Sequence, residues 1–312
     1  MARLSLRNVT KRYASVTAVD DLSIEVTAGR IFGLLGPNGA GKTSTIRMIA
    51  YITAPDSGVI ELDGEVVGPH TQECMGYLPE ERGLYRRMKV GEQLVYFCML
   101  KGMTRPDARN AVKYWLDRFD AATWMSKRTD QLSKGMQQKV QFVATVAHDP
   151  NLLIFDEPFS GLDPINSDLL RDVIFELREK GKTILFASHR MEQVEQICDD
   201  ICLIADGAAL ASGSLRKIKL AAGCNVVEIE FDGDASFIDE LESDQALEVL
   251  NTATGMVRLR LNDPAQTSEI LDRARRDAVI FRFELVQPSL NEIFIDLVSA
   301  HAGRREPDPD TT

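Results

Sequence analysis

Gly36-Pro37-Asn38-Gly39-Ala40-Gly41-Lys42-Thr43 fits G-x-x-x-x-G-K-[ST] at every fixed position. These residue types at this spacing suit one task, the holding of phosphate. Glycines let the backbone fold tightly around an anion and aim N–H groups at it. Lys42 is placed to reach the β- and γ-phosphates of a nucleotide, and the Thr43 hydroxyl to coordinate Mg²⁺. Positions 30–35 form a short apolar run that reads as the strand delivering this loop. Ser44 opens a helical pattern over 44–50. A helix N-terminus adds partial positive charge just where the anion sits. The loop predicts a nucleotide site built from Gly36 to Ser44. By itself it leaves kinases, GTPases and motor ATPases open.

Four further stretches narrow the chemistry. Leu132-Ser133-Lys134-Gly135-Met136 precedes a long helical pattern at 137–147. Leu152-Leu153-Ile154-Phe155-Asp156-Glu157 is an apolar strand ending in two carboxylates. Ser160-Gly161-Leu162-Asp163 comes next, and a second apolar strand at 183–187 delivers Ser188-His189. In this order the motifs resemble those of the ATP-binding-cassette (ABC) ATPases. LSKGM stands for the LSGGQ signature, Asp156-Glu157 for Walker B, 160–163 for the D-loop and His189 for the H-loop. The resemblance covers about residues 3 to 213. It implies a P-loop ABC ATPase of α/β class, with an antiparallel β-subdomain, a helical subdomain, ATP as substrate and Mg²⁺ as cofactor.

The family's site residues carry over position by position. Asp156 binds Mg²⁺ directly or through water. Glu157 is the general base that polarises the attacking water. His189 hydrogen-bonds the γ-phosphate and holds both the water and Glu157. Tyr13, after Lys11-Arg12, is the aromatic that stacks on adenine. Ser133 and Gly135 face a γ-phosphate, and Asp163 lies in the D-loop beside it. Two positions depart from the pattern. Glu80, in Gly76-Tyr77-Leu78-Pro79-Glu80, stands where the Q-loop has Gln. A carboxylate is the stronger Mg²⁺ ligand but cannot donate a hydrogen bond at neutral pH. Lys134 and Met136 replace a glycine and a glutamine of the signature, with Gln137 next in line as a substitute for the lost amide.

Other elements must position these residues. Leu4 and Leu6, then Leu22, Ile24 and Val26, alternate as half-buried strands do. Asp63-Gly64 between 59–62 and 66–67 signals a hairpin. Helical patterns at 90–101 and 106–119 fall between the P-loop and the signature, as the family's helical subdomain does (about 84–148). In the second, Ala111, Val112, Trp115, Leu116 and Phe119 form an apolar stripe. These aromatics and Met99 are expected in the core. After about Lys219 the pattern changes. Runs at 226–231, 237–241, 247–250, 256–261, 266–276 and 279–285 read as βαββαβ, a ferredoxin-like order. A helix at 290–301 follows. The expected domains are 1–218, the ABC ATP-binding domain, and 219–302, a small C-terminal α+β accessory domain; 303–312 is expected to be disordered.

At 312 residues the length fits two domains. Net charge is −11, which argues against a sequence-independent nucleic-acid binder. No run approaches the ~18 apolar residues of a membrane helix, and no secretion signal opens the chain. Five scattered cysteines carry no zinc spacing and read as reduced thiols.

In the family, the signature of one subunit faces the P-loop of another, so one chain holds two half-sites. The resemblance therefore implies a second ATP-binding subunit, here in a homodimer, and a separate transmembrane permease at the cytoplasmic face of the membrane. The stretch 81–88 follows the Q-loop and is basic. It is either the neighbourhood that receives the permease's coupling helix or a solvated loop. The extended C-terminal part resembles that of sodium-export and drug-export ATPases, with a regulatory or dimer-stabilising role. A soluble ABC protein of translation or DNA repair is the alternative, although one cassette without sustained heptads fits it poorly. A binding module with a dead ATPase is a third, against which Lys42, Asp156, Glu157 and His189 all stand.

Overall fold

The computed structural model describes residues 3–81, 83–223, 225–243, 247–262 and 266–302. Arg82 and the expected disordered stretch 303–312 lie outside them. The chain divides into two compact units, Met1–Leu215 and Arg216–Thr312.

In the first unit the alternating strands β1 (Leu4–Tyr13) and β2 (Val16–Val26) pair antiparallel, and β4 (Ser57–Leu62) and β5 (Glu65–Val66) extend them in the order β2-β1-β4-β5. The Asp63-Gly64 hairpin turn has φ of 55° and 86° at its two residues, the left-handed pair that suits such a turn.

A second sheet carries the continuous apolar runs. It comprises β3 (Ile31–Leu35), β6 (Met75–Leu78), β7 (Leu152–Asp156), β8 (Thr183–Ser188), β9 (Asp200–Ala205) and β10 (Ala208–Ser214), in the order β10-β9-β3-β8-β7-β6. All but β10 run parallel. Every residue of β3, β7 and β8 is buried, as expected of parallel strands covered on both faces. Polar access is left to the strand ends. Helices α1 (Lys42–Ile49), α4 (Lys134–Val146), α5 (Pro164–Glu179) and α6 (Met191–Ile197) connect these strands.

Between β6 and β7 lie α2 (Val90–Leu100) and α3 (Arg105–Arg118). The α3 stripe buries Ala108, Val112, Trp115 and Leu116, with Phe119 at its end, while Ala111 is only half-buried. Met99 corrects its expectation: it is 44% exposed. Helix α2 buries Val90, Leu94 and Cys98, and one residue further on the helix turns Met99 about 100° off that stripe. Aromatic rings tie this region to the sheet. Phe119 meets Phe142 of α4 edge-on at 5.6 Å, and Phe142 stacks on Phe155 of β7 at 5.1 Å.

After α7 (Leu215–Ala221) the second unit contains β11 (Val226–Gly233), α8 (Ser236–Ser243), β12 (Leu247–Ala253), β13 (Met256–Leu261), α9 (Thr267–Asp277), β14 (Ala278–Val286) and α10 (Leu290–Ala302). Its sheet is wholly antiparallel in the order β12-β13-β11-β14, the ferredoxin-like arrangement. Its own core gathers Val227, Ile229 and Phe231 from the sheet with Phe237, Leu241 and Ile270 from the helices.

Candidate functional site

The loop after β3 is tight because its neighbours touch it. A Cβ on Gly36 would stand 2.2 Å from the carbonyl oxygen of Ile204. Gly41, at φ 105°, would set one 2.3 Å from that of Ala18. Both positions therefore require glycine. Gly41 is also the N-cap of α1, which has no side-chain cap and no acidic residue in its first turn. The first amides of the helix thus remain available to an anion. Lys42 is nearly buried, and its Nζ donates to the carbonyls of Gly36 and Pro37 at 2.7 and 3.0 Å. Burial lowers its pKa, opposed by Glu157, Asp156 and Glu80.

Parallel pairing brings the carboxylates to this loop. Registers β3–β8 and β8–β7 align Leu35 with Ser188 and Asp156 with Ala187, so the ends of three strands meet. Asp156 is 2% exposed. Its pKa is pushed up to about 6, by burial first and then by the charges of Glu80 and Glu157, against Lys42 and a hydrogen bond from Thr43. Its Oδ2 is buried with no hydrogen-bond partner. Such an orphaned acceptor costs free energy unless something binds it. A cavity of about 140 Å³ is lined by Asn38, Gly39, Gly41, Lys42, Thr43 and Ser44 together with Glu80, Asp156 and Glu157.

Glu157 follows on a turn with φ 50°, where a non-glycine residue is strained. Its N–H bonds Ala187 O at 3.0 Å. The carboxylate accepts from the His189 backbone N–H (2.7 Å) and the Ser188 hydroxyl (3.1 Å), and meets His189 Nδ1 at 2.6 Å. This backbone strain and fixed carboxylate mark a constructed site rather than a loose turn.

The remaining expected residues lie apart from that cavity. Ser133 caps α4, its hydroxyl accepting from Met136 N–H at 3.3 Å, and it is exposed while Gly135 is half-buried. Asp163 caps α5 by accepting from Asn166 N–H at 2.9 Å, which holds its carboxyl below the usual range. Tyr13 is 44% exposed at the end of β1, with Lys11 Nζ 5.4 Å from its ring centre. None of these four is among the cavity's lining residues. Gln137, the suggested stand-in for the signature glutamine, donates its amide to the carbonyls of Thr129 and Leu132 (3.2 and 3.0 Å).

Two residues outside the motifs also hold the site together. The Gln141 amide donates to the carbonyls of Pro79 and Glu81 (2.9 and 3.2 Å), and the Gln138 amide to that of Pro158 (2.9 Å). They tie the segment carrying Glu80, and the turn after Glu157, to α4. Gln138 and Gln141, three apart, share one side of a helix buried nearly all round, Val140, Phe142 and Val143 included, and no local pattern names their partners.

With this geometry in view, comparison with known proteins identifies the family. Residues 19–160 match the family described as ABC transporter. Residues 213–298 match the one described as ATP-binding protein DrrA1-3-like, C-terminal domain. The chain is 43% identical to YhaQ, an uncharacterized ABC transporter ATP-binding protein of Bacillus subtilis (strain 168), over 95% of this chain and 99% of the relative. It is 36% identical to the Nod factor export ATP-binding protein I of Burkholderia lata, over 78% of this chain and 81% of the relative. A solved structure of an ATP-binding subunit of an ABC transporter matches with a TM-score of 0.67 and 31% identity, over 70% of this chain and 93% of that one. The chain belongs to the ABC transporter ATP-binding proteins and is an ATPase. Nothing in these relatives supports the alternative of translation or DNA repair.

Proposed function

We propose that this chain powers an exporter, closing as a homodimer on ATP and coupling that closure to a separate membrane permease. The observation that carries the reading is the pair Glu157–His189 beside the P-loop, with Asp156 Oδ2 orphaned in the same cavity. Lys42 and the uncapped end of α1 bind the β- and γ-phosphates. Glu157 takes a proton from the attacking water, and His189 holds that carboxylate in place and contacts the γ-phosphate. Tyr13, free on one face, stacks on adenine.

The orphaned Asp156 oxygen and the Thr43 hydroxyl fit Mg²⁺, with Glu80 as a further carboxylate. Among the described residues no group of three His, Cys, Asp or Glu side chains could hold a metal alone. Mg²⁺ is usually held by one or two carboxylates and completes its shell with phosphate oxygens and water. Bound there, the ion neutralises charge on the phosphates.

Ser133, Gly135 and Asp163 lie outside the cavity of their own chain, so a second copy must bring them to the γ-phosphate. ATP then contacts both subunits and favours the closed dimer, and hydrolysis removes that differential binding. Among the described residues no helix is long and apolar enough to cross a membrane. By kinship with ABC transporter ATP-binding proteins, the membrane pathway falls to a partner and this chain works at the cytoplasmic face. The export names among its relatives support the direction. The boundary near 215–219 separates a motor from an accessory domain. Size-exclusion chromatography of Glu157→Gln tests the reading. With saturating Mg-ATP it should run as a dimer that retains ATP, and a variant that stays monomeric overturns the reading.

A further inference from the structure

The sheet of the second unit ends on an open edge. Strand β14 is last in its order and pairs only with β11. No backbone hydrogen bond joins its other side to any described element. Proteins usually blunt such an edge with charged side chains, proline, a β-bulge or short length; here Arg282, Glu284 and one bulge serve that end. This one is 9 residues long and exposes Val279 at 64%, Phe281 at 70% and Leu285 at 42%. A bulge in the β11 register leaves Phe281 unpaired between Ile280 and Arg282.

The residues along this edge complement their own reverse. Antiparallel pairing of two copies about a two-fold axis at Phe283 sets Phe281 against Leu285 of the second copy, and Arg282 against its Glu284. A register moved by one residue to either side sets Arg282 against Arg282, or Glu284 against Glu284. Like charges directly opposite are destabilising, and opposite charges or apolar pairs stabilise. Arg282 already serves Glu228 (3.3 Å), Glu230 (3.4 Å) and Glu284.

We propose that β14 pairs edge to edge with β14 of a second copy of this chain, joining the two four-stranded sheets into one. The contact is isologous, as a two-fold dimer requires, and needs no nucleotide. It deepens the homodimer reading above and rests on it only for the number of copies.

The test uses the full chain without nucleotide, with Cys74 and Cys224 replaced by serine. A Phe281→Cys chain mixed with a Leu285→Cys chain should form a disulfide-linked heterodimer on mild oxidation, while neither alone should cross-link. In sedimentation the wild-type chain should reach twice its 34.7 kDa mass. Phe281→Lys should weaken this association at least about tenfold, since both copies lose an apolar cross-strand pair. Absence of the mixed cross-link, a chain monomeric at every concentration, or a nucleotide-free dimer indifferent to Phe281→Lys each overturns the proposal. The ATP-trapped dimer is read separately, in a chain carrying both Glu157→Gln and Phe281→Lys and by its retained ATP, since size alone does not tell the two dimers apart. If it forms while the edge fails to pair, the motor reading stands and this one falls. If the edge pairs and the trapped dimer does not form, the reverse holds.

Discussion

The two main sheets of this chain differ in what covers them. The parallel sheet of the first unit buries both faces, so β3, β7 and β8 are apolar throughout and polar residues gather at their ends. Asp156 and Glu157 leave β7 there, beside the loop that leaves β3. Open α/β sheets place ligands at these carboxyl ends. The antiparallel sheet of the second unit turns one face to the apolar core it shares with α8 and α9, and carries charge on the other, where α10 supplies Glu292 and Asp296. Arg258 pairs with Glu228 and Glu292, Arg260 with Glu248 and Asp296, and Arg282 with three carboxylates. A dry strand end shifts pKa values and strains a backbone. On the charged sheet face Arg258, Glu228 and Glu292 are mostly covered and compensate one another, with exposed carboxylates at the rim screened by solvent. The first arrangement suits chemistry and the second suits a surface.

The contrast is sharpest at Glu157. Replacing it with Gln should slow ATP hydrolysis on the order of 10²–10⁴-fold, the usual worth of a general base. Arg260→Ala in the other sheet should leave hydrolysis unchanged. Steady-state phosphate release measures both, and a large loss from Arg260→Ala would break the division of labour.

Core truncation should come next in size. Phe142 lies between Phe119 and Phe155 and is fully buried. Phe142→Ala should destabilise the first unit by about 3–5 kcal/mol, read as a lower unfolding midpoint in urea. A loss under about 1 kcal/mol would mean that the ring stack does not join α4 to β7.

Two buried titratable groups of the first unit should act with opposite sign in the nucleotide-free chain. The His148 ring meets the Met75 carbonyl through Nε2 at 3.1 Å, and burial lowers its pKa to about 4 against the pull of that bond. The unfolded chain binds more protons between about pH 4 and 6.5, so this contribution is present above pH 6.5 and is lost as pH falls through 4. Asp156 is raised to about 6. There the folded chain holds the proton more tightly, so its contribution is present at low pH and is lost as pH rises through 6. Asp156→Asn should therefore stabilise the chain at pH 8 by about 2–3 kcal/mol, while His148→Gln should flatten the acid limb. Thermal melts across pH in metal-free buffer test both, and an unchanged melting point for Asp156→Asn at pH 8 would refute its burial cost.

The smallest effect is expected at the charged sheet face. Glu248 and Asp296 are more than half exposed at their side chains, and Arg260→Ala should cost less than about 1 kcal/mol. A denaturant curve displaced by more than that would show the charges acting as a cooperative network.

Motif order alone made the P-loop, both Walker carboxylates and His189 legible, because their spacing is local and their chemistry restricts residue type. The helices and the βαββαβ order of the second unit were legible too, from period and turn residues. Met99 was not, since periodicity cannot say which neighbour a helix face meets. Nor were Gln138 and Gln141, whose partners Pro158, Pro79 and Glu81 are carbonyls chosen by packing rather than by sequence distance.

The amino-acid sequence by itself determined the family and the motif residues proposed for the chemistry, because phosphate, metal and water each demand particular side chains at short range. Only the tertiary structure decided their state. In the first unit, register across β3, β8 and β7 buried Asp156 and set Glu157 against His189; in the second, strand order left β14 at the edge of its sheet. Burial and pairing are set by residues far apart in the chain, and no local pattern records them.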